Sequence, residues 1–326
     1  MTENVAKSQS TSVHRVIDIA QKLGLDANAI PLTPNFPLLI PRHWLDKIEK
    51  GNPKDPLLLQ VLPRKEELNA PELNWSKDAV GDLAATIAPG LIHKYSGRAL
   101  LITTGSCALH CRYCFRKHFP YNDSPKTHQQ LVQSLELVKA DTSISELILS
   151  GGDPLSLSQA RLEQLVDEII KIEHIKTLRI HSRSLTTSPS ISTKELLNIF
   201  NKFKGNKVIV AHVNHANELD EQTKNALALW KVNSWTLLNQ TVFLKDVNDK
   251  ATTLINLSHK LFDQGVLPYY LNLLDRVEGV QHFEISDSKA LAIYKEIQSK
   301  LPGYLCPKVV REIQGKANKT LVHIPY

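Results

Sequence analysis

The 326-residue chain lacks any run of about 18 consecutive apolar residues, so no segment is suited to span a membrane. Residues 1–15 are polar and contain no apolar signal-peptide core, and we therefore expect a cytoplasmic protein. Internal repeats and low-complexity tracts are also absent. The net charge is +6, but the basic residues form no run or aromatic-interleaved stripe. This charge favours anionic ligands such as phosphates and argues against a nucleic-acid partner.

Cysteine is scarce, with four residues in the chain, yet three of them fall within eight positions. Cys107, Cys111 and Cys114 have the spacing C-x3-C-x2-C, and Cys306 lies far away in sequence. Disulfides are disfavoured in the cytosol, so a tight cluster with an odd number of cysteines indicates metal or redox chemistry. We assign no role to Cys306.

From residue 98 onward, short apolar runs rich in β-branched residues alternate with helical stretches at a period of about 30 residues, which indicates a parallel sheet. Six such units fit an incomplete (β/α)6 barrel better than a closed eightfold barrel. In such folds the chemistry lies at the carboxyl ends of the strands. The predicted strands are 99–103, 146–149, 177–180, 208–211, 235–244 and 267–274.

Before the barrel, residues 1–30 contain one amphipathic pattern, carried by Val13, Ile17, Ile19 and Leu23. Residues 31–75 are rich in proline and charge, which predicts extended chain with short helices. We expect residues 1–90 to form an N-terminal helical and extended region, 91–300 the barrel, and 301–326 a short C-terminal segment. Within the barrel, Ser124-Pro125 predicts the start of its first helix.

Three thiolates on one loop can hold three irons of a [4Fe–4S] cube and leave the fourth iron open for a ligand. The cysteine loop "SCALHCRYCFRKHF" resembles the signature of the radical S-adenosylmethionine (SAM) superfamily, in which SAM takes that open position. Tyr113 then occupies the aromatic position that packs the adenine. The alternative is a zinc site with His110 or His118 as fourth ligand.

A second motif follows the second predicted strand, where "SGGD" places Ser150, Gly151, Gly152 and Asp153. The glycines allow the backbone to approach a ligand closely, and the strand end offers free polar groups. On its own this motif is more often a turn. One strand after the cysteines, it resembles the Gly-Gly-Glu-like motif that binds the SAM amino group.

From about residue 50 onward the chain resembles lysine 2,3-aminomutases. The resemblance lies in several independent segments, including "NPKDPLLLQVLP", "ILSGGDPLSL", "LRIHSRS", "LLNQTVFLKDVND", "PYYLNLLDRVEGVQHF" and "GYLCPKVVREIQGKANKT". It implies an enzyme that uses pyridoxal 5′-phosphate (PLP) on a C-terminal lysine. Lys319 occupies that position, and Lys316 is the competing candidate. Leu321 stands where the family commonly has proline.

The resemblance also implies roles for other residues. Arg98 and Gln240 take the positions of PLP-phosphate ligands, and Arg116 takes that of the arginine that binds the substrate carboxylate. Asp275 and Glu312 match two acids that hold the distant ammonium of lysine, although the family has aspartate at the second position.

These similarities imply a radical SAM aminomutase that converts free (S)-α-lysine into (R)-β-lysine, with flavodoxin or ferredoxin as electron donor. The short length and segments such as "CFRKHFPY" are closer to the branch that supplies β-lysine to a ligase for modifying elongation factor P. The sequence leaves the oligomeric state open, and a homo-oligomer is one of the possible states. The alternatives are a catabolic-type lysine 2,3-aminomutase, an aminomutase for glutamate or arginine, a radical SAM enzyme without PLP, and a zinc-binding adaptor.

Overall fold

The computed structural model describes residues 16–26, 30, 36, 38–70, 73–125 and 127–322. Val13, part of the predicted N-terminal helical pattern, lies outside these residues. None of the described helices combines the length and the hydrophobicity needed to cross a lipid bilayer. The α-helices are α1 Val16–Leu23, α2 Arg42–Leu45, α3 Pro56–Leu59, α4 His128–Ala140, α5 Gln159–Ile169, α6 Ser184–Thr187, α7 Lys194–Phe200, α8 Glu221–Val232, α9 Ala251–Asp263 and α10 Asp287–Lys300.

Among the described residues, ten strands form one sheet in sequence order, and each predicted strand is present. Strands β3 to β9 are parallel, while β1–β2, β2–β3 and β9–β10 are antiparallel pairs. The strands are β1 Thr86–Ala88, β2 Leu91–Tyr95, β3 Arg98–Thr104, β4 Glu146–Gly151, β5 Thr177–Ser182, β6 Asn206–His212, β7 Thr236–Val242, β8 Leu267–Asn272, β9 Lys308–Arg311 and β10 Thr320–Leu321.

Six strand–helix units run from β3 to α10, and in the described chain the sheet is open, with β1 and β10 at its edges. The predicted incomplete (β/α)6 architecture is therefore confirmed. The sheet continues past the predicted boundaries near residues 90 and 300, because β1, β9 and β10 all pair into it. The division into three regions stays a prediction.

The main core lies between the sheet and its surrounding helices. Apolar side chains of the strands, such as Leu147, Leu149 and Leu178, are fully buried against helix residues such as Leu162 and Val166. Burial on this scale supplies the main driving force for folding. Because strands β3 to β9 run parallel, their carboxyl ends all lie at one edge of the sheet.

One predicted helix start is wrong. Helix α4 begins at His128, and Thr127 rather than Ser124 is its N-cap. The Thr127 side chain accepts a hydrogen bond from Gln130 N, and Gln130 in turn accepts from Thr127 N. This reciprocal capping box satisfies two backbone donors, an arrangement that a Ser-Pro start cannot reproduce here.

The N-terminal segment forms a separate apolar cluster that packs beside the cysteine loop. Ile19, Leu23, Trp44 and Leu57 are buried in it, and the partly buried Cys111 packs against it. In the described part of residues 31–75, the helices α2 and α3 confirm the predicted short helices. This segment therefore closes one side of the barrel edge where the cysteines lie.

Candidate active site

The carboxyl ends of the strands surround a cavity of about 310 Å³. Pockets for small molecules and cofactors in proteins commonly start near this size. All fourteen residues that the sequence analysis singled out as site residues line this cavity: Arg98, Cys107, Cys111, Tyr113, Cys114, Arg116, Ser150, Gly151, Gly152, Asp153, Gln240, Asp275, Glu312 and Lys319. Residues more than 200 positions apart in sequence thus converge in one place.

The cysteine loop leaves the carboxyl end of β3 and presents three partly buried thiols to the cavity. Arg112, between the second and third cysteines, points away and is fully buried in an ion pair with Glu67. Its backbone N–H donates to Gln60 O at 2.8 Å. These contacts fix the loop against the N-terminal segment.

The three thiols line the cavity without closing on a common point, and no three His, Cys, Asp or Glu side chains of the described residues form a site for a single metal ion. Each thiolate of a [4Fe–4S] cube binds a different iron, so its ligands surround a cluster rather than one ion. Three thiols at one end of a cavity fit that donor set.

The Gly-Gly-Asp loop lies directly against the start of the cysteine loop. Gly152 N donates to Thr104 O at 2.7 Å and Asp153 N to Ser106 O at 2.8 Å. A Cβ atom at Gly152 would overlap the Ser106 carbonyl oxygen and lie 2.8 Å from the Gly105 carbonyl carbon. Only glycine allows this approach without displacing the backbone.

The side chain of Asp153 makes hydrogen bonds within the protein. Its buried carboxylate accepts hydrogen bonds from the Ser182 and Ser184 hydroxyls and from the backbone N–H groups of Leu155, Arg183 and Ser184. Burial raises its pKa, and these hydrogen bonds oppose the rise. The carboxylate thus joins the ends of β4 and β5, and its contact with SAM stays a prediction.

Tyr113 is also held from several sides. Its hydroxyl lies 2.8 Å from His212 Nε2 and accepts from Asn214 Nδ2 at 2.6 Å. Its ring stacks on His212 and meets Phe283 edge-on. Burial raises the pKa of Tyr113 well above its ordinary value. The ring is therefore fixed at the cavity wall, and its packing on adenine stays a prediction.

In the same cavity, Lys319 Nζ donates to Asn272 Oδ1 at 3.1 Å and lies 3.2 Å from Glu312 Oε2. The Tyr95 hydroxyl donates to Glu312 Oε1. Asp275 is nearby, and burial raises its pKa to about 6, with Lys319 opposing and Glu312 adding to the rise. Lys94 Nζ also lies 3.8 Å from Glu312 Oε1, so two amines and two acids share this part of the cavity.

Arg116 is buried, and Asp82 holds it. Arg116 Nε donates to Asp82 Oδ2 at 2.7 Å and Nη1 to Ser150 Oγ at 3.0 Å. Lys94 Nζ contacts the other Asp82 oxygen at 2.6 Å. Burial alone would raise the pKa of Asp82, but the two cations outweigh it and hold the pKa below its ordinary value.

Arg98 lies over the Tyr95 ring, 4.7 Å from its centroid, and its buried Nε has no hydrogen-bond partner among the described residues. An orphaned buried donor is costly in a folded protein, so a ligand oxygen would satisfy this atom. Gln240, on β7, lines the same cavity.

Sequence reasoning missed several residues that line or support the site. Arg183 directly follows β5 and His212 is the last residue of β6, and this position at the end of a buried strand was the available signal. Asp82 carried no such signal. Asn272 ends β8, but only the tertiary structure shows that it contacts Lys319, as it shows that Asp82 contacts Arg116.

Comparison with known proteins agrees with this geometry. Residues 101–236 match the radical SAM superfamily. The chain is 45% identical to the L-lysine 2,3-aminomutase of Escherichia coli (strain K12) over 305 residues, 93% of this chain and 87% of that protein. The chain belongs to the L-lysine 2,3-aminomutase family. The resemblance described from the sequence is thereby confirmed.

Two further family members support the assignment. The L-lysine 2,3-aminomutase of Haemophilus influenzae is 44% identical over 88% of this chain and 84% of its own length. That of Buchnera aphidicola is 40% identical over 89% of this chain and 85% of its own length. The protein is therefore an isomerase of the radical SAM superfamily, and membership implies a [4Fe–4S] cluster and SAM.

Proposed function

We propose that this enzyme converts (S)-α-lysine into (R)-β-lysine and that it uses PLP attached to Lys319. One observation carries the proposal: the Lys319 amine lies in the same cavity as the three clustered thiols. An amine and an iron–sulfur ligand set at one site are what a PLP-dependent radical isomerisation requires.

The residues around Lys319 suit PLP. The side chain of Lys319 is 29% exposed, so its amine is accessible from the cavity. Arg98 would hold the phosphate with its unpartnered Nε, and Gln240 would assist from β7. PLP, when bound, supplies an electron-delocalising ring beside the migrating nitrogen.

The substrate would be held at both ends. Arg116, oriented by Asp82 and Ser150, is proposed to bind the lysine carboxylate. Asp275 and Glu312 are proposed to bind the distant ammonium, because two carboxylates balance one buried cation. An acid pair would select against glutamate as a substrate, since its side-chain carboxylate would be repelled.

In the same cavity, Cys107, Cys111 and Cys114 would hold the cluster. Ser150, Gly151, Gly152, Asp153 and Tyr113 would shape the adjoining SAM site, with Asp153 acting through the loop it anchors. The enclosing walls would keep water and oxidants away from the reacting carbon.

A test is anaerobic purification followed by iron, sulfide and PLP analysis, with borohydride trapping and peptide mapping. About four irons and one PLP per chain, with the trapped label on Lys319 and lysine turned over to β-lysine, are expected. Iron without PLP would exclude the PLP-dependent proposal. Zinc without iron would indicate that the cysteines form a structural zinc site and would favour the alternative of a zinc-binding adaptor protein.

We further propose that the β-lysine serves a ligase that modifies elongation factor P, and that flavodoxin or ferredoxin supplies the electron. The support is the sequence resemblance to that branch of the family. The mass of elongation factor P should rise by one lysyl residue when the ligase, ATP, lysine and the reduced enzyme with SAM are combined, and acid hydrolysis should release β-lysine rather than its isomer α-lysine. An unchanged mass, with β-lysine present in the mixture, would favour a catabolic role.

A further inference from the structure

Arg183 is a buried cation at the carboxyl end of β5 that the proposed lysine chemistry leaves unused. Its Nη1 donates to Cys111 Sγ at 2.7 Å and also to the Tyr113 hydroxyl. Its Nη2 donates to Gln60 Oε1 at 2.7 Å. The guanidinium therefore makes a direct hydrogen bond to one thiol of the cysteine loop and another to the Tyr113 hydroxyl.

The position of this guanidinium is strongly determined. The Asp153 carboxylate accepts a hydrogen bond from Arg183 N at 2.8 Å, which fixes the backbone. The guanidinium carbon lies 4.8 Å from the Trp44 ring centroid and 5.5 Å from that of Tyr113. Three elements that are distant in sequence thus hold one side chain, so its contact with Cys111 is not a chance surface encounter.

The nearest carboxylate does not cancel the charge at the sulfur. Glu218 Oε2 lies 3.5 Å from Nη2, which is the nitrogen turned away from Cys111. Two backbone N–H groups, those of Asn214 and His215, donate to Glu218 Oε1 and share its charge. An arginine guanidinium stays protonated in folded proteins, so this side chain keeps its positive charge in the buried site. The group facing the sulfur is a permanent cation.

We propose that Arg183 is a positioning residue that sets the reduction potential of the [4Fe–4S] cluster through its N–H···S contact with Cys111. Reduction adds one electron from the external donor to the cluster and breaks no bond. The reduced cluster carries more negative charge, so a buried cation and a hydrogen bond at a ligand sulfur stabilise it and raise its potential. This inference depends on the cluster and not on PLP.

The test is potentiometric titration of the reconstituted protein, with the cluster followed by electron paramagnetic resonance. Arg183→Met should shift the reduction equilibrium at least tenfold toward the oxidised cluster, which is 59 mV more negative for one electron. Arg183→Lys keeps the charge but loses the planar fork, so its shift should be smaller. Lys171→Gln, which removes an exposed cation at the end of α5, should leave the potential unchanged.

Iron and PLP contents are measured on each variant, so that loss of the cluster or of PLP is distinguished from a change in reduction potential. An Arg183→Met protein with full iron and an unchanged potential would overturn the inference, whatever its PLP content. If that variant fails to fold, wild-type enzyme labelled with 15N in its arginine guanidinium groups replaces it. Pulsed resonance should then detect 15N coupled to the reduced cluster, and loss of that coupling in Arg183→Lys would assign it. No coupling in the wild type would contradict the proposal.

Discussion

Glu312 and Lys319 are the first and last residues of the loop that connects β9 and β10, with 3.2 Å between Glu312 Oε2 and Lys319 Nζ. Arg311 of β9 pairs with Thr320 of β10, so Glu312 and Lys319 are the next residues beyond that pair. Because β9 also pairs with β8, the hairpin carries both residues to the sheet edge where Asn272 lies. Residues seven apart in sequence thus become one charged pair at the cavity.

Replacement of Lys319 by alanine should abolish covalent PLP attachment and β-lysine formation, because the amine proposed to bind PLP is removed. The iron content should be unchanged. Lys316→Ala is the matched control, since this lysine is exposed and three residues away. Absorbance of the bound PLP and borohydride trapping measure the outcome. Label found on Lys316 would reverse the assignment.

Cys111→Ala should remove most of the iron and leave PLP bound, since a cluster ligand is lost while the residues proposed to bind PLP are intact. Cys306→Ala provides the comparison, because Cys306 does not line the cavity and its thiol donates to Leu301 O at 3.7 Å. Iron, sulfide and PLP analysis would show the difference. A fully loaded cluster in Cys111→Ala would rule out its role as a ligand.

Gly152→Ala should displace the cysteine loop, because the new methyl group would overlap the Ser106 carbonyl oxygen. Overpacking of this kind costs about 1–3 kcal/mol of unfolding free energy. We expect lower thermal stability together with poor cluster assembly. Gly303→Ala is the control, because a Cβ there meets no atom within 4 Å. Equal iron content in both variants would contradict the claim that the close contact between Gly152 and Ser106 is needed for cluster assembly.

Asp82→Asn should leave Arg116 and Lys94 partly unpaired in a buried site. Breaking a buried ion pair costs about 3–5 kcal/mol. We expect a decrease of about 3 kcal/mol in unfolding free energy and a higher KM for lysine, as Arg116 loses its orientation. Glu296→Gln breaks an exposed pair with Lys300 and should cost less than about 1 kcal/mol. Denaturant titration compares the two, and similar losses would contradict the prediction.

Lysine affinity should fall as the pH drops below about 6, the pKa to which burial raises Asp275. Only the ionised carboxylate attracts the ammonium, so protonation of this one group should raise KM by up to about tenfold per pH unit. Asp275→Asn should bind lysine weakly at every pH and lose this dependence. Asp263→Asn, at the end of α9, should retain it. A flat wild-type profile between pH 5 and 7 would argue against Asp275.

The local sequence was sufficient for the periodic elements. Alternating β-branched runs and amphipathic stretches predicted all six barrel strands, and the cysteine spacing predicted a thiol cluster after the first of them. The start of α4 was missed, because Thr127 and Gln130 cap each other through a local pair of hydrogen bonds that outweighs the Ser-Pro signal.

What the sequence by itself determined is the class of fold, the cysteine loop, the Gly-Gly-Asp loop and the residues that resemble those of aminomutases. Only the tertiary structure decided which partners those residues have. Asp82 reaches Arg116, Asn272 reaches Lys319, and Arg183 reaches Cys111 across 34, 47 and 72 positions. Such contacts depend on the register of parallel strands and on the burial of charge, and neither is written in a local pattern.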